Sequence, residues 1–238
     1  MLKKLLGSLL DRKRHWNYFT LYENITRWNS SHGFPDPTSL PDKMSLPSSF
    51  WSSVKDLHEL TLQDEHERAV SVWWIDGDIC VTPTLRGDRS SVTSKYSLKV
   101  QYIPHTHDTN YTKQVEVDGK TIFKKTLQES EVPHQSTISP LFNLHTHPPH
   151  YQDGRRYYHY FSRTDIVSLI MGDSTFSGVI TDEVILLCKT NRTPNFVPDI
   201  VDDRSISQEL LWQQLGLVQF KGTWRTAEFE KSENITYV

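Results

Sequence analysis

Two histidines two positions apart, His145 and His147, lie in the stretch LFNLHTHP, and a serine and an aspartate three apart, Ser162 and Asp165, lead into the apolar run IVSLIM. Side chains alternate faces along an extended strand, so the two imidazoles point the same way. Residues three apart in the first turn of a helix are neighbours, which sets Ser162 beside Asp165. Two imidazoles and one carboxylate form a ligand set suited to Zn²⁺. Three protein ligands leave the fourth tetrahedral position open to water, which distinguishes a catalytic zinc site from a closed structural one. The expected ligands are therefore His145, His147 and Asp165, with Zn²⁺ as cofactor.

Each half of this pattern has a plainer meaning by itself. A second H-x-H pair, His105 and His107, follows the strand-like SLKVQYI without an S-x-x-D nearby, and it reads as loop. Ser162-x-x-Asp165 alone is a helix N-cap with an acidic residue at N3, a local stabiliser that needs no metal. Capping does not exclude ligation. The conjunction favours a metal: a strand-borne H-x-H, Pro148 ending that strand, then S-x-x-D opening a helix.

HTHP at 145–148 followed by SRTD at 162–165 resembles the signature of the JAMM (MPN-plus) zinc metalloproteases: an upstream Glu, H-x-H-P, a spacer and S-x-x-D. The resemblance implies that His145, His147 and Asp165 bind zinc and that Ser162 helps hold the reacting carbonyl. It also implies a catalytic Glu at the start of the first sheet strand. The best match is Glu67 in ERAVSVWWIDGD, with Glu65 and Glu116 as the other carboxylates open to that role. Zinc would lower the pKa of a water molecule from about 15.7 toward about 7, while the Glu moves the protons. The implied activity is a zinc-dependent isopeptidase or peptidase removing ubiquitin or a ubiquitin-like modifier. A zinc hydrolase of another peptide or amide, or a non-catalytic MPN-like scaffold, are the alternatives. The spacer, residues 148–161, is long, basic and aromatic, and Tyr151, Tyr157, Tyr158, His159 and Tyr160 are candidates for gripping an extended peptide.

The elements that must carry these residues are readable in outline. FWSSVKDLHELTL (Phe50 to Leu62) has helical apolar spacing, with Ser49 as a possible N-cap. Ala69 to Ile75, ICVTPTL, SLKVQYI, LFNLHTH, SGVI and VILLCKT read as strands, and Ser162 to Met171 as a helix. TKQVEVDGKTIFKKT reads as an inserted β-hairpin turning at Asp118-Gly119 in type I′ geometry. Ser205 to Leu215 reads as a terminal helix capped by Ser205 and stopped at Gly216. Interleaved strands and helices argue for an α/β fold, a mixed central sheet flanked by helices. The resemblance implies the MPN/JAB, cytidine-deaminase-like version of it.

The expected division is an N-terminal extension at 1–49, a catalytic domain at 50–190 and a C-terminal extension at 191–238. The first contains a short amphipathic helix (Leu2, Leu5, Leu6, Leu9, Leu10) and then SSHGFPDPTSLPDKMSLPSS, read as a Pro/Ser-rich linker. A net charge of −3 gives no electrostatic reason to expect nucleic acid as a partner. No apolar run is long enough to span a bilayer and no secretory signal is evident, so a cytoplasmic location is expected. Cys80 and Cys188 sit in apolar runs and read as reduced core thiols.

Overall fold

The computed structural model describes residues 14–92, 96–132, 137–158, 160–203 and 205–232. The amphipathic N-terminal helix expected from the leucine spacing lies outside them. In chain order the strands are β1 (His15–Asn17), β2 (Lys43–Ser45), β3 (Arg68–Ile75), β4 (Asp78–Val81), β5 (Leu85–Arg86), β6 (Leu98–Pro104), β7 (Asn110–Val117), β8 (Lys120–Gln128), β9 (Ile138–Thr146), β10 (His150–Gln152), β11 (Arg155–Tyr157), β12 (Phe176–Ile180), β13 (Val184–Cys188), β14 (Val218–Thr223) and β15 (Glu228–Lys231). The α-helices among the described residues are α1 (Tyr18–Ser31), α2 (Ser48–Asp64), α3 (Arg163–Met171) and α4 (Gln208–Gln214). The fold is mixed α/β. A ten-stranded sheet runs in the order β1-β2-β15-β14-β13-β12-β9-β3-β4, with β5 paired to β3. Its strands are antiparallel except for β1 with β2 and β12 with β9.

Alternation along the strands divides the core into two layers. Val70, Val72, Leu144, Phe142, Ile180, Leu186 and Phe220 face α1 and α2, where Leu21, Ile25, Phe50, Trp51 and Val54 meet them. Val179, Ile185 and Leu187 face the other way, against Ile166, Leu169 and Ile170 of α3 and Trp212 of α4. Helices on both faces thus seal the sheet. Each fully buried side chain of this size removes about 1.5–3 kcal/mol worth of apolar surface from water. No helix among the described residues is long and apolar enough to cross a membrane.

Three expectations are revised. The Pro/Ser-rich stretch is not a linker: β2 pairs with β15, and Leu40, Met44 and Leu46 are buried in the main core. Likewise, the region after 190 supplies β14 and β15, which continue the sheet beyond β13. The flanking segments therefore share one core with the middle of the chain. Local ends also differ, because α2 starts at Ser48 behind Pro47 without a side-chain cap, and α4 is capped by the Ser207 hydroxyl rather than by Ser205.

The inserted hairpin turns at Asp118 and Gly119, both at positive φ as a type I′ turn requires. It carries β6 as a third strand, giving a separate three-stranded sheet. Val115 and Phe123 of that sheet pack on Ile75 and Cys80. Lys113, fully buried, reaches the Asp76 carboxylate in the β3–β4 turn and lies over the Phe123 ring. A buried ammonium is tolerated only when so paired.

Candidate metal centre

The site grows from the antiparallel pairing of β3 with β9, which sets Ala69 opposite His145. Leu144 points into the α1–α2 core, so His145 emerges on the opposite, α3 face, and His147 follows it two residues on. Helix α3 begins at this face. Its N-cap Ser162 accepts the Asp165 N–H at 3.2 Å, and the Ser162 N–H donates to Asp165 Oδ2 at 2.7 Å. This reciprocal capping box fixes the Asp165 carboxylate as well as the helix start. Capping and ligand positioning are the same contact.

His145 Nε2 lies 3.0 Å from His147 Nε2 and 3.1 Å from Asp165 Oδ1, and His147 Nε2 lies 3.5 Å from Asp165 Oδ2. Metal–ligand bonds of about 2.0–2.2 Å meeting at tetrahedral angles place ligand atoms about 3.3–3.6 Å apart. The His147–Asp165 separation falls in that range, while those of His145 to His147 and to the other carboxylate oxygen of Asp165 are a few tenths of an ångström shorter. His145, His147 and Asp165 are the group among the described residues able to hold a metal ion. Their donor chemistry, two imidazole nitrogens and a carboxylate oxygen, fits a divalent metal ion.

Electrostatics separate the two carboxylates. Burial alone would raise the Asp165 carboxyl, but hydrogen bonds from His145 and His147 outweigh it and hold the group well below the usual carboxylate range. Asp165 is thereby kept anionic. Burial pushes the Glu67 carboxyl above its usual value, with the charges of His147 and His145 opposing the rise in part. Glu67 Oε1 stands 3.9 Å from His147 Nε2, outside the ligand triangle but beside it. A buried carboxyl with a raised pKa, next to but not within a ligand set, is placed as a proton carrier should be.

The other two carboxylates are elsewhere. Glu65 does not share a strand with Glu67: it ends α2 in the left-handed conformation at φ 55° and pairs with Arg89 at 3.0 Å. Glu116 lies in the inserted sheet, where its carboxylate accepts from Gln114 at 2.6 Å. Neither lines the cavity at the triad, whereas Glu67 and Ser162 do.

That cavity is a trough of about 740 Å³. Its floor includes Ala69, Asn143, His145 and Ser177, with Thr164 and Ser168 of α3 on one side and Arg89, Ser90 and Ser91 on the other. The second wall escapes a sequence reading, because it lies between the strand-like ICVTPTL and SLKVQYI. Asp88 accepts hydrogen bonds from Ser90 and Ser91, folding the loop on itself. Its carbonyl then accepts the Glu67 N–H at 2.7 Å, and the Gly87 N–H donates to the Glu67 carbonyl at 2.9 Å. The loop straps down the backbone of Glu67. The available signal was D-x-S-S, an Asx-type turn.

The aromatic spacer is a hairpin, β10 and β11, turning at Asp153 and Gly154, both at positive φ. Of its side chains, His150 lines the trough. Tyr151 and Tyr157 are 64 % and 47 % exposed, Tyr160 packs beside the α3–α4 core, and the Tyr158 hydroxyl donates to Asp182 at 3.3 Å. His159 lies outside the described residues. The other H-x-H begins at the β6–β7 connection, where His105 pairs with Asp108 at 3.2 Å. Compared with known proteins, the chain matches no family model, no curated protein and no solved structure.

Proposed function

We propose that this protein is a JAMM-type zinc peptidase of MPN/JAB architecture that removes ubiquitin or a ubiquitin-like modifier from lysine or from a precursor tail. The observation carrying the proposal is the convergence of His145, His147 and Asp165, whose nitrogen and oxygen atoms approach to 3.0–3.5 Å, with the Glu67 carboxyl 3.9 Å from His147 Nε2. Zinc held there would supply Lewis-acid polarisation and a water acidified to near neutral pH. The remaining work falls to the chain. Glu67, its carboxyl raised by burial, accepts a proton from water and delivers it to the departing amine. The Ser162 hydroxyl donates to the carbonyl oxygen as negative charge builds there. Asp165 stays anionic and keeps the imidazoles oriented.

The open trough and the short β10–β11 hairpin beside it suit an extended chain, which can lie along exposed strand edges. The experiment is elemental analysis followed by cleavage. Purified chain should bind zinc in equal number, His147→Ala should lose it, and zinc-loaded protein should release lysine from an isopeptide-linked ubiquitin-like conjugate. A chain that takes up no zinc removes the metal reading. Loaded protein that leaves every isopeptide-linked and linear fusion intact removes the substrate.

A further inference from the structure

Asn143 lies two residues before His145 on β9, so its side chain emerges on the same face and on the floor of the same trough. Three paired strands put Ser71, Asn143 and Ser177 side by side across the sheet. Ser71 is buried. Its hydroxyl donates to Asn143 Oδ1, and its own N–H is taken up by the Thr82 hydroxyl at 2.9 Å. With Oδ1 engaged by Ser71, the two Nδ2 hydrogens of Asn143 are the part of the carboxamide left for the trough. An amide locked from behind is a pre-oriented donor.

The spacing matches an extended peptide. Residues two apart in a strand are about 6.6 Å apart and carry their carbonyls on the same side. A chain whose scissile carbonyl sits over the triad therefore presents, toward Asn143, the third carbonyl counted back with the scissile one as first. Direction follows from the proton carrier. Glu67 precedes Ala69, which pairs with His145, so Glu67 lies at the His147 end of the site, away from Asn143. The amine that receives its proton departs at that end, and the acyl chain extends toward Asn143.

Resting on the function proposed above, we infer that Asn143, fixed by Ser71, donates to that third carbonyl and makes this a site for substrates with an extended peptide on the acyl side. It is a specificity residue. A lone terminal amide would leave its donors unmatched, which a site of this kind penalises.

The test uses full-length, zinc-loaded Glu67→Gln protein and two probes: the last ten residues of ubiquitin joined to the lysine ε-amine, and the same isopeptide with a trans-alkene replacing the peptide group of the third carbonyl. Calorimetry should show the natural probe binding about 3- to 10-fold more tightly, the value of one hydrogen bond. Adding Asn143→Leu should bring the two affinities within about 2-fold, and adding Ser71→Ala should give an intermediate ratio, with zinc content unchanged in both. Unchanged discrimination in the Asn143→Leu protein overturns the inference, as does loss of zinc, which would make the residue structural. If neither probe binds the parent protein, the ubiquitin-tail reading itself fails and the inference falls with it; equal binding of both leaves that reading standing and removes Asn143.

Discussion

The hydroxyl of Thr146 accepts the backbone N–H of Arg68 at 2.9 Å, tying the residue between the two imidazoles, the last of β9, to the residue following Glu67. Thr146 faces away from the trough and also meets the Thr61 hydroxyl of α2 at 2.7 Å, in full burial. The spacing between the end of β9 and the segment bearing Glu67 is thus held from behind the sheet. Thr146→Val keeps the shape but strands a buried N–H, a change that costs about 1–3 kcal/mol. Urea unfolding should show that loss. An unchanged midpoint would mean the contact contributes nothing.

Ser162 caps α3 and, in the proposed mechanism, also donates its hydroxyl to the substrate carbonyl. Ser162→Ala should lower turnover on the order of 10²-fold while zinc remains bound. Loss of the cap should cost about 1 kcal/mol of stability as well. Turnover, zinc content and unfolding measured on one preparation separate the two roles, and an unchanged rate would remove Ser162 from the chemistry.

Asp64 is the anchor for Arg68. The Arg68 guanidinium donates to both Asp64 oxygens at 2.9 and 2.8 Å, and its hydrogen bonds hold the carboxyl below its ordinary 3.8. A carboxyl whose native pKa is depressed binds its proton less readily folded than unfolded, so its contribution is complete above about pH 4 and is lost as pH falls through the native value. The stability gap between wild type and Asp64→Asn should accordingly be constant near neutrality and shrink below about pH 4. Paired unfolding curves at pH 7 and pH 3 check the sign. A gap that widens on acidification contradicts the assignment.

At Gly87 a Cβ would lie 2.0 Å from the Ser91 carbonyl oxygen. Gly87→Ala must therefore open the strap that holds Glu67, and turnover should fall with the zinc stoichiometry intact. Full activity in that variant would show that the strap has no part in placing the carboxyl.

Burial pushes the Cys80 thiol up to about 12 and raises Cys188 well above its ordinary value, and both are free. The thiolate is the reactive form. A thiol reagent at pH 8 should label neither in the native protein and both in denaturant; rapid native labelling would contradict the packing of β4 and β13.

The ligand triad was readable because each half obeys a local rule: alternation puts His145 and His147 together, and a capping box puts Ser162 and Asp165 together. That Glu67, rather than Glu65 or Glu116, lies beside the imidazoles came from the resemblance, since strand parity alone does not distinguish Glu67 from Glu65. The Asp118-Gly119 turn was legible for the same local reason. What stayed hidden depends on pairing between distant segments. KMS at 43–45 is too short and too polar to announce a strand, and it becomes one because β1 and β15 pair with it on either side. VQFKGT and EFEK alternate only weakly, and their places are set by β13 and β14 in turn. The strap over Glu67 announces only a turn, D-x-S-S; its two backbone contacts to Glu67 depend on pairing with a distant segment.

The pairing of β2 with β15 also has a consequence for synthesis. During translation at about 5–20 residues per second, Met44 and its neighbours emerge from the ribosome long before Phe229, the residue opposite Met44 in the register, has been made. Through that interval β2 has β1 beside it but no edge of the rest of the sheet to join. Such delayed, distant closure slows maturation and exposes sticky surface, so nascent chains should depend on chaperones until the final strands appear.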